Sequence, residues 1–404
     1  MVKKFDLRSC SNKILKKIKK ENEEELEIHY VPRCSNFNQF EEPETKKVKE
    51  ISRKLVLKKR GNKIKTTPFI KEEEEDEDKV FNGGKELFIY LSILNDDDIL
   101  AWYKLDPNGT FEGNQTQILS PISSISYNVI PNYYRTIGYD SKLYIMGGYK
   151  TRKDLDIGSK TFVCDTSSTN TWEESISMNS CKIGPQLAVV DGKIFAIGTL
   201  RLMNFKFKQP FAEVFDPSLN KWTALPSLPS DIHIYCVANS VFVRDQDEII
   251  IFPSDYSSPK PHYAYRFNVK SHSWARFSDP FKIPADCTTS SVAVGNVIFR
   301  LQKENRLYAC DMSHPKPIGR RVYGLEKEIK SFMSNTGHLF YIGNGKLCLI
   351  WSFKSKEHRD MKVIACLKFW VGMCNEKRRL EAVIDRCDHY LVNGRSILRD
   401  CVAM

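Results

Sequence analysis

VCDTSSTNTW (163–172), VFDPSLNKW (214–222) and RFNVKSHSW (266–274) share one plan. Each passes from an apolar residue to Asp or Asn, crosses a polar turn and reaches Trp. Trp172, Trp222 and Trp274 are spaced 50 and 52 residues apart. A repeat of roughly 50 residues marks a β-propeller in which each repeat is one blade. On this reading Asp165 and Asp216 end a third strand. The Trp lies on or just before the fourth, where an indole fills the space between blades.

Working outward, one strongly apolar strand can be aligned in every unit: KELFIYL (85–91), SKLYIMGG (141–148), GKIFAIG (192–198), DEIIIF (247–252), GNVIFRL (295–301) and GHLFYIG (337–343). Residues 81–404 thus divide into six copies of roughly 54 residues, the size of a four-stranded blade with its loops. Most of these strands follow a turn signal such as Asp191-Gly192, because a tight hairpin needs the positive φ that Gly and Asp tolerate. They are therefore expected to be second strands. Gly147 and Gly148 end one of them where the backbone passes close to its neighbours. The first unit lacks an upstream hairpin partner. An open ring would leave an exposed edge, so a strand from 389–398 is expected to complete the first blade.

GKIFAIG, AEVFDPSLNKW (212–222), GKLCLIW (345–351) and the C-terminal LKFW (367–370) with LEAVID (380–385) resemble the plant F-box/kelch-repeat proteins over residues 81–400. The resemblance implies a six-bladed kelch-type β-propeller that selects a protein for ubiquitination by a cullin-based ligase. An F-box would show an apolar, Leu-Pro-rich helical region with a Trp near its end. Residues 1–80 instead carry charge blocks, among them KKIKK (16–20), KKRGNKIK (58–65) and KEEEEDED (71–78). Such a composition cannot bury enough apolar area to offset chain entropy, so a disordered arm is expected before the propeller. A marginal helix capped by Ser11 is the exception considered within it.

The basic clusters suit nuclear-localisation signals as well as a solvated linker. No apolar run of signal-peptide or membrane-span length occurs. The nucleus or cytoplasm is the expected location, with no membrane partner. The acidic run 71–78 and the lack of interleaved aromatics argue against nucleic acid. The twelve cysteines are scattered without a C-x-x-C and read as buried strand residues.

Chemistry is sparse. The eight histidines are isolated, none at metal-ligand spacing, and no G-x-S-x-G, P-loop or G-x-G-x-x-G occurs. No catalytic, cofactor-binding or metal-binding residue is assigned. Recognition by loops on a rigid scaffold remains. The connections between second and third strands are long: GYKTRKDLDIGSK (148–160), TLRLMNFKFKQP (199–210) and PSDYSSPKPH (253–262). Arg201, Leu202, Met203, Phe205, Lys206, Lys208 and Tyr256 combine apolar, aromatic and basic contact groups and are the candidate partner-binding residues. A bland alternative has Phe205 and Phe207 facing a blade core, since they alternate with lysines. The reading is a non-enzymatic protein-recognition module. A ubiquitin-ligase substrate receptor, with cullin-ligase components as further partners, is the second reading, and a propeller enzyme the third.

Overall fold

A computed structural model describes residues 66–68, 86–109, 117–149, 158–168, 171–198, 210–228, 237–253, 263–281, 288–302, 306–314, 316–329, 337–355, 357, 360–394 and 397–404. The expected charged arm up to residue 65, with the Ser11 helix, lies outside them.

Six antiparallel four-stranded blades follow one another. From the innermost strand outward, blade one is Ile397–Ala403, Ile89–Leu94, Ile99–Leu105 and Pro121–Ser126. Blade two is Arg135–Tyr139, Lys142–Met146, Thr161–Asp165 and Trp172–Ser175. Blade three is Gln186–Val190, Lys193–Ile197, Ala212–Asp216 and Lys221–Ala224. Blade four is Val237–Val243, Glu248–Pro253, Tyr263–Asn268 and Ser273–Ser278. Blade five is Thr288–Val294, Val297–Gln302, Arg306–Asp311 and Arg320–Tyr323. Blade six is His338–Tyr341, Lys346–Lys354, Met361–Cys374 and Arg379–Asn393. The innermost strands touch in cyclic order, blade one meeting blades two and six, so the ring closes.

The core is distributed over the seams between blades. One apolar cluster joins Ile137, Tyr144 and Met146 of blade two to Ile194, Phe215 and Trp222 of blade three. Equivalent clusters fill the other five seams. Each second strand has a blade packed on both faces. KIFAI (193–197) therefore buries four consecutive residues, and VIFRLQ (297–302) is buried throughout. This is why those strands read as continuous apolar runs rather than as alternating ones.

The recurring tryptophans reach back across the seams. Trp222 stacks on Phe215 with centroids 5.1 Å apart, and its Nε1 donates to the Ile176 carbonyl, before blade three, at 3.1 Å. Trp274 repeats the arrangement one blade later, 4.8 Å from Phe267 and donating to the Pro226 carbonyl at 3.0 Å. Trp172 packs on Trp102 of blade one at 5.3 Å.

Two seams also hold buried charge. Lys182 and Glu213 pair at 2.6 Å with both side chains almost fully enclosed. Glu213 further accepts the Asn179 and Ser180 N–H groups. Burial pushes the Lys182 ammonium below its ordinary value, and Glu213 acts in the opposite direction. Gly147 and Gly148 make room for this connection. Both have positive φ, a side chain on Gly147 would collide with the Lys182 carbonyl, and the Gly148 N–H donates to that same carbonyl at 2.8 Å. In the seam between blades four and five, Arg300 pairs with Asp279 at 3.1 Å while its guanidinium lies over Phe252 and Phe281.

Three expectations need correction. The closing strand is Ile397–Ala403, whereas residues 389–393 continue the long fourth strand of blade six. HYLVN extends the preceding run without a turn signal, and the chain breaks only at Gly394, with φ of 89°. GHLFYIG supplies the first strand of blade six, not the second. The true hairpin turn is Gly343-Asn344-Gly345, all at positive φ, and the second strand starts at Lys346. In blade one the second strand begins at Ile89, later than the KELFIYL alignment placed it.

Blade six also exceeds the four-stranded plan. Its outer hairpin is long enough for the fourth strand to pair in parallel with Val322 and Tyr323 of blade five at one end and with Gln117 and Ile118 at the other. Thr66–Pro68 runs antiparallel to Gly372–Cys374 at the tip of this hairpin.

Two measurements test the packing. Trp222→Ala should cost ~3–5 kcal/mol in urea unfolding, as for large aromatics in cores; a near-neutral change would place the indole outside the load path of the seam. A chain ending at Gly394 should show a lower melting temperature and faster amide exchange in Ile89–Leu94, because that strand loses its hydrogen-bonded neighbour. An unchanged melting temperature would mean the ring does not depend on this pairing.

Candidate recognition surface

Antiparallel blades alternate their connections between two ends. Turns joining strands one to two and three to four share the lower end, and the two-to-three and blade-to-blade connections share the upper end.

The lower end is built of turns that satisfy themselves. Asp165 accepts the N–H and hydroxyl of Ser167, Asp216 those of Ser218, Asn268 those of Ser271 and Asp311 those of Ser313. Asp106 does the same with the Asn108 N–H. The hydroxyl donors hold the Asp165 and Asp216 carboxyls below the usual carboxylate range. These side chains are committed to folding their own turns.

The upper end differs. Among the described residues, the exposed large apolar side chains gather there: Ile99, Val129, Tyr133, Ile176, Tyr263 and Ile397. Leu219 and Ile318 are exposed on the three-to-four connections of the other end. Val129 and Tyr133 sit together on the connection from blade one to blade two, and Ile176 follows on the next. Tyr263 carries the Arg276 guanidinium 4.9 Å from its ring, and Arg399 lies 5.3 Å from Tyr127. Apolar, aromatic and arginine side chains in proximity are the usual material of a protein-binding surface.

A central channel of about 1050 Å³ runs between the innermost strands. Towards its upper mouth each blade contributes a polar residue: Arg135, Gln186, Asn239, Ser290, His338 and Asp400. Two of them tie neighbouring blades. Asp400 Oδ2 accepts the Thr136 N–H at 2.9 Å, and Ser290 Oγ accepts the Leu339 N–H at 3.0 Å. His338 keeps limited access to the channel but has protein around it. Burial holds its pKa below the ordinary value, Arg135 adds to this, and Asp400 opposes it.

Arg201, Leu202, Met203, Phe205, Lys206, Lys208 and Tyr256 lie outside the described residues. Their connections leave from Gly198 and Pro253 and return at Pro210 and Tyr263, at the upper ends of blades three and four. Gly147, Gly148, Asp165, Trp172, Asp216, Trp222 and Trp274 occupy the seams and turns described above. The channel residues were missed. Their only sequence signal is a polar residue some distance before each first hairpin turn, as in RTIGY (135–139) and QLAVV (186–190), and it becomes visible only once the first strands are aligned. Among the described residues, no group of three or more His, Cys, Asp and Glu side chains could hold a metal ion, and no helix is long and apolar enough to cross a membrane.

Comparison with known proteins agrees with the geometry. The family model for the FKB95 kelch-repeats domain matches residues 102–391. An F-box/kelch-repeat protein of Arabidopsis thaliana is 24% identical over 72% of this chain and 73% of its own length. A second from the same plant is 26% identical over 62% of this chain and 60% of its own. A Kelch-like protein of Aspergillus terreus is 28% identical over 28% of this chain and 26% of its own.

The lower-end carboxylates predict an acid response. Their folded pKa values lie below the unfolded ones, so the stabilisation is complete above the unfolded value of about 3.9 and is lost as pH falls through it. Asp216→Asn keeps the acceptor and removes the titration. The fall in urea midpoint between neutral pH and pH ~3 should therefore be smaller in the variant than in the wild type. An equal fall would show that Asp216 titrates alike in both states.

Proposed function

Because the chain belongs to the FKB95 kelch-repeat family and is thereby a protein-interaction module, we propose that it recognises a partner protein through the upper end of the propeller and presents it to a ubiquitin ligase. The observation that carries the first half is the gathering of exposed apolar side chains at that end, set against self-satisfied turns at the other. Val129, Tyr133 and Ile176 supply apolar area on adjacent blade-to-blade connections, and the basic and apolar residues of 199–210 extend the surface towards an acidic partner. The second half rests on the relatives named F-box/kelch-repeat proteins.

The experiment is affinity capture with mass spectrometry on the full chain. Val129→Ser, Tyr133→Ser and Ile176→Ser combined should reduce partner recovery at least about tenfold, the scale of a lost hot spot, with melting temperature unchanged. Leu219→Ser with Ile318→Ser, at the lower end, should leave recovery intact. The opposite pattern moves the binding surface to the lower end. Cullin-ligase subunits should be recovered with both variants, and their absence from the wild-type capture would remove the ligase half of the proposal.

A further inference from the structure

The channel pairs a polar mouth with an apolar shaft, and its polar groups are incompletely used. Thr136 is nine-tenths buried, and its Oγ1 has no hydrogen-bond partner. Ser291 Oγ and His338 Nε2 are likewise enclosed and unpartnered. The Arg135 side chain is exposed at the same level and makes no ion pair among the described residues. The carboxylate at this level, Asp400, is already engaged by the Thr136 and Cys401 N–H groups at 2.9 and 3.0 Å. Donors are therefore in surplus near the upper mouth.

Below them the wall changes character. Leu187, Val189, Phe242, Val292 and Phe340 line the channel and stay half-buried. Water could satisfy the polar ring, but it would leave this apolar wall wet, which is unfavourable in proportion to the area exposed. The lower mouth is lined by Glu86, Asp140 and Asp245 against one basic residue, Arg244. A negative group is repelled there and attracted to the Arg135 end.

We propose that the channel is a binding site for a small amphipathic organic anion, its carboxylate or sulfonate head at Arg135, Thr136, Ser291 and His338 and its apolar body in the shaft below. The volume of about 1050 Å³ falls at the upper end of small-molecule sites, ~300–1,000 Å³. A neutral apolar molecule would leave the enclosed donors unpaired, and an inorganic anion would leave the shaft empty. An anion with an apolar body answers both. The site is independent of partner capture: its residues line the channel, whereas Val129, Tyr133 and Ile176 lie on the outer connections.

The test uses the full chain and two probes, anilinonaphthalene sulfonate read by fluorescence and decanoate as competitor. The sulfonate should bind saturably at one site, and decanoate should displace it, while decanol at equal concentration should do so at least about tenfold less well. Arg135→Gln, an exposed change, should weaken both anions about tenfold with an unchanged melting temperature. Phe242→Glu should abolish binding; if that variant fails to fold, Val292→Thr, nearly isosteric, should weaken decanoate in its place. Absence of saturable binding would mean a channel that holds water only. Binding insensitive to Arg135→Gln, or displaced equally by decanol, would place the probe elsewhere. Either result overturns the proposal.

Discussion

The structure depends on a single strand pairing, Ile397–Ala403 on Ile89–Leu94. A propeller blade buries both faces against its neighbours, so no blade has a complete core of its own. Without the C-terminal strand, blade one would have three strands, and the edge of Ile89–Leu94 would face the channel with its backbone groups unpaired. The pairing joins the two ends of the propeller sequence in one sheet. It also places Asp400 where it can hold the Thr136 N–H of blade two. Blade six reinforces the closure from outside, its long fourth strand reaching blade five on one side and residues 117–118 on the other.

Closure makes the seams matter more than the blades. The aromatic, apolar and ionic contacts fall between blades: Trp222 to the Ile176 carbonyl, Trp274 to the Pro226 carbonyl, Lys182 to Glu213 and Arg300 to Asp279. The buried ion pairs are satisfied by several hydrogen bonds each, the condition under which such pairs are tolerated. They add geometric restriction where apolar packing alone would allow blades to slide. Gly147 and Gly148 show the cost of this closeness, since no side chain fits beside the Lys182 carbonyl.

Once the ring is rigid, its two ends are free to diverge. The lower end spends its polar side chains on its own turns. The upper end bears long connections, exposed apolar residues and the polar mouth of the channel. Recognition is carried by connections that contribute little to the seams, so the surface can change while the scaffold stays. The channel walls cannot vary as freely, because the residues that line them also pack the innermost strands.

The sequence by itself determined the blade number, the second and third strands of blades two to five and the inter-blade place of the tryptophans. These follow from local rules: apolar runs, turn residues and a spacing near fifty, each readable within one repeat. It also showed that the N-terminal part differs in composition from the rest. The end strands were less legible. HYLVN and ILRDCVA are equally good strands by pattern, and only pairing with a segment more than 300 residues away separates them. The same holds for the channel. Arg135, Gln186, Asn239, Ser290, His338 and Asp400 are scattered polar residues in one dimension and become a ring only when six first strands face a common axis. Local chemistry fixes a strand, but which strands meet is decided by closing the ring, and a closed ring is a property of the whole chain.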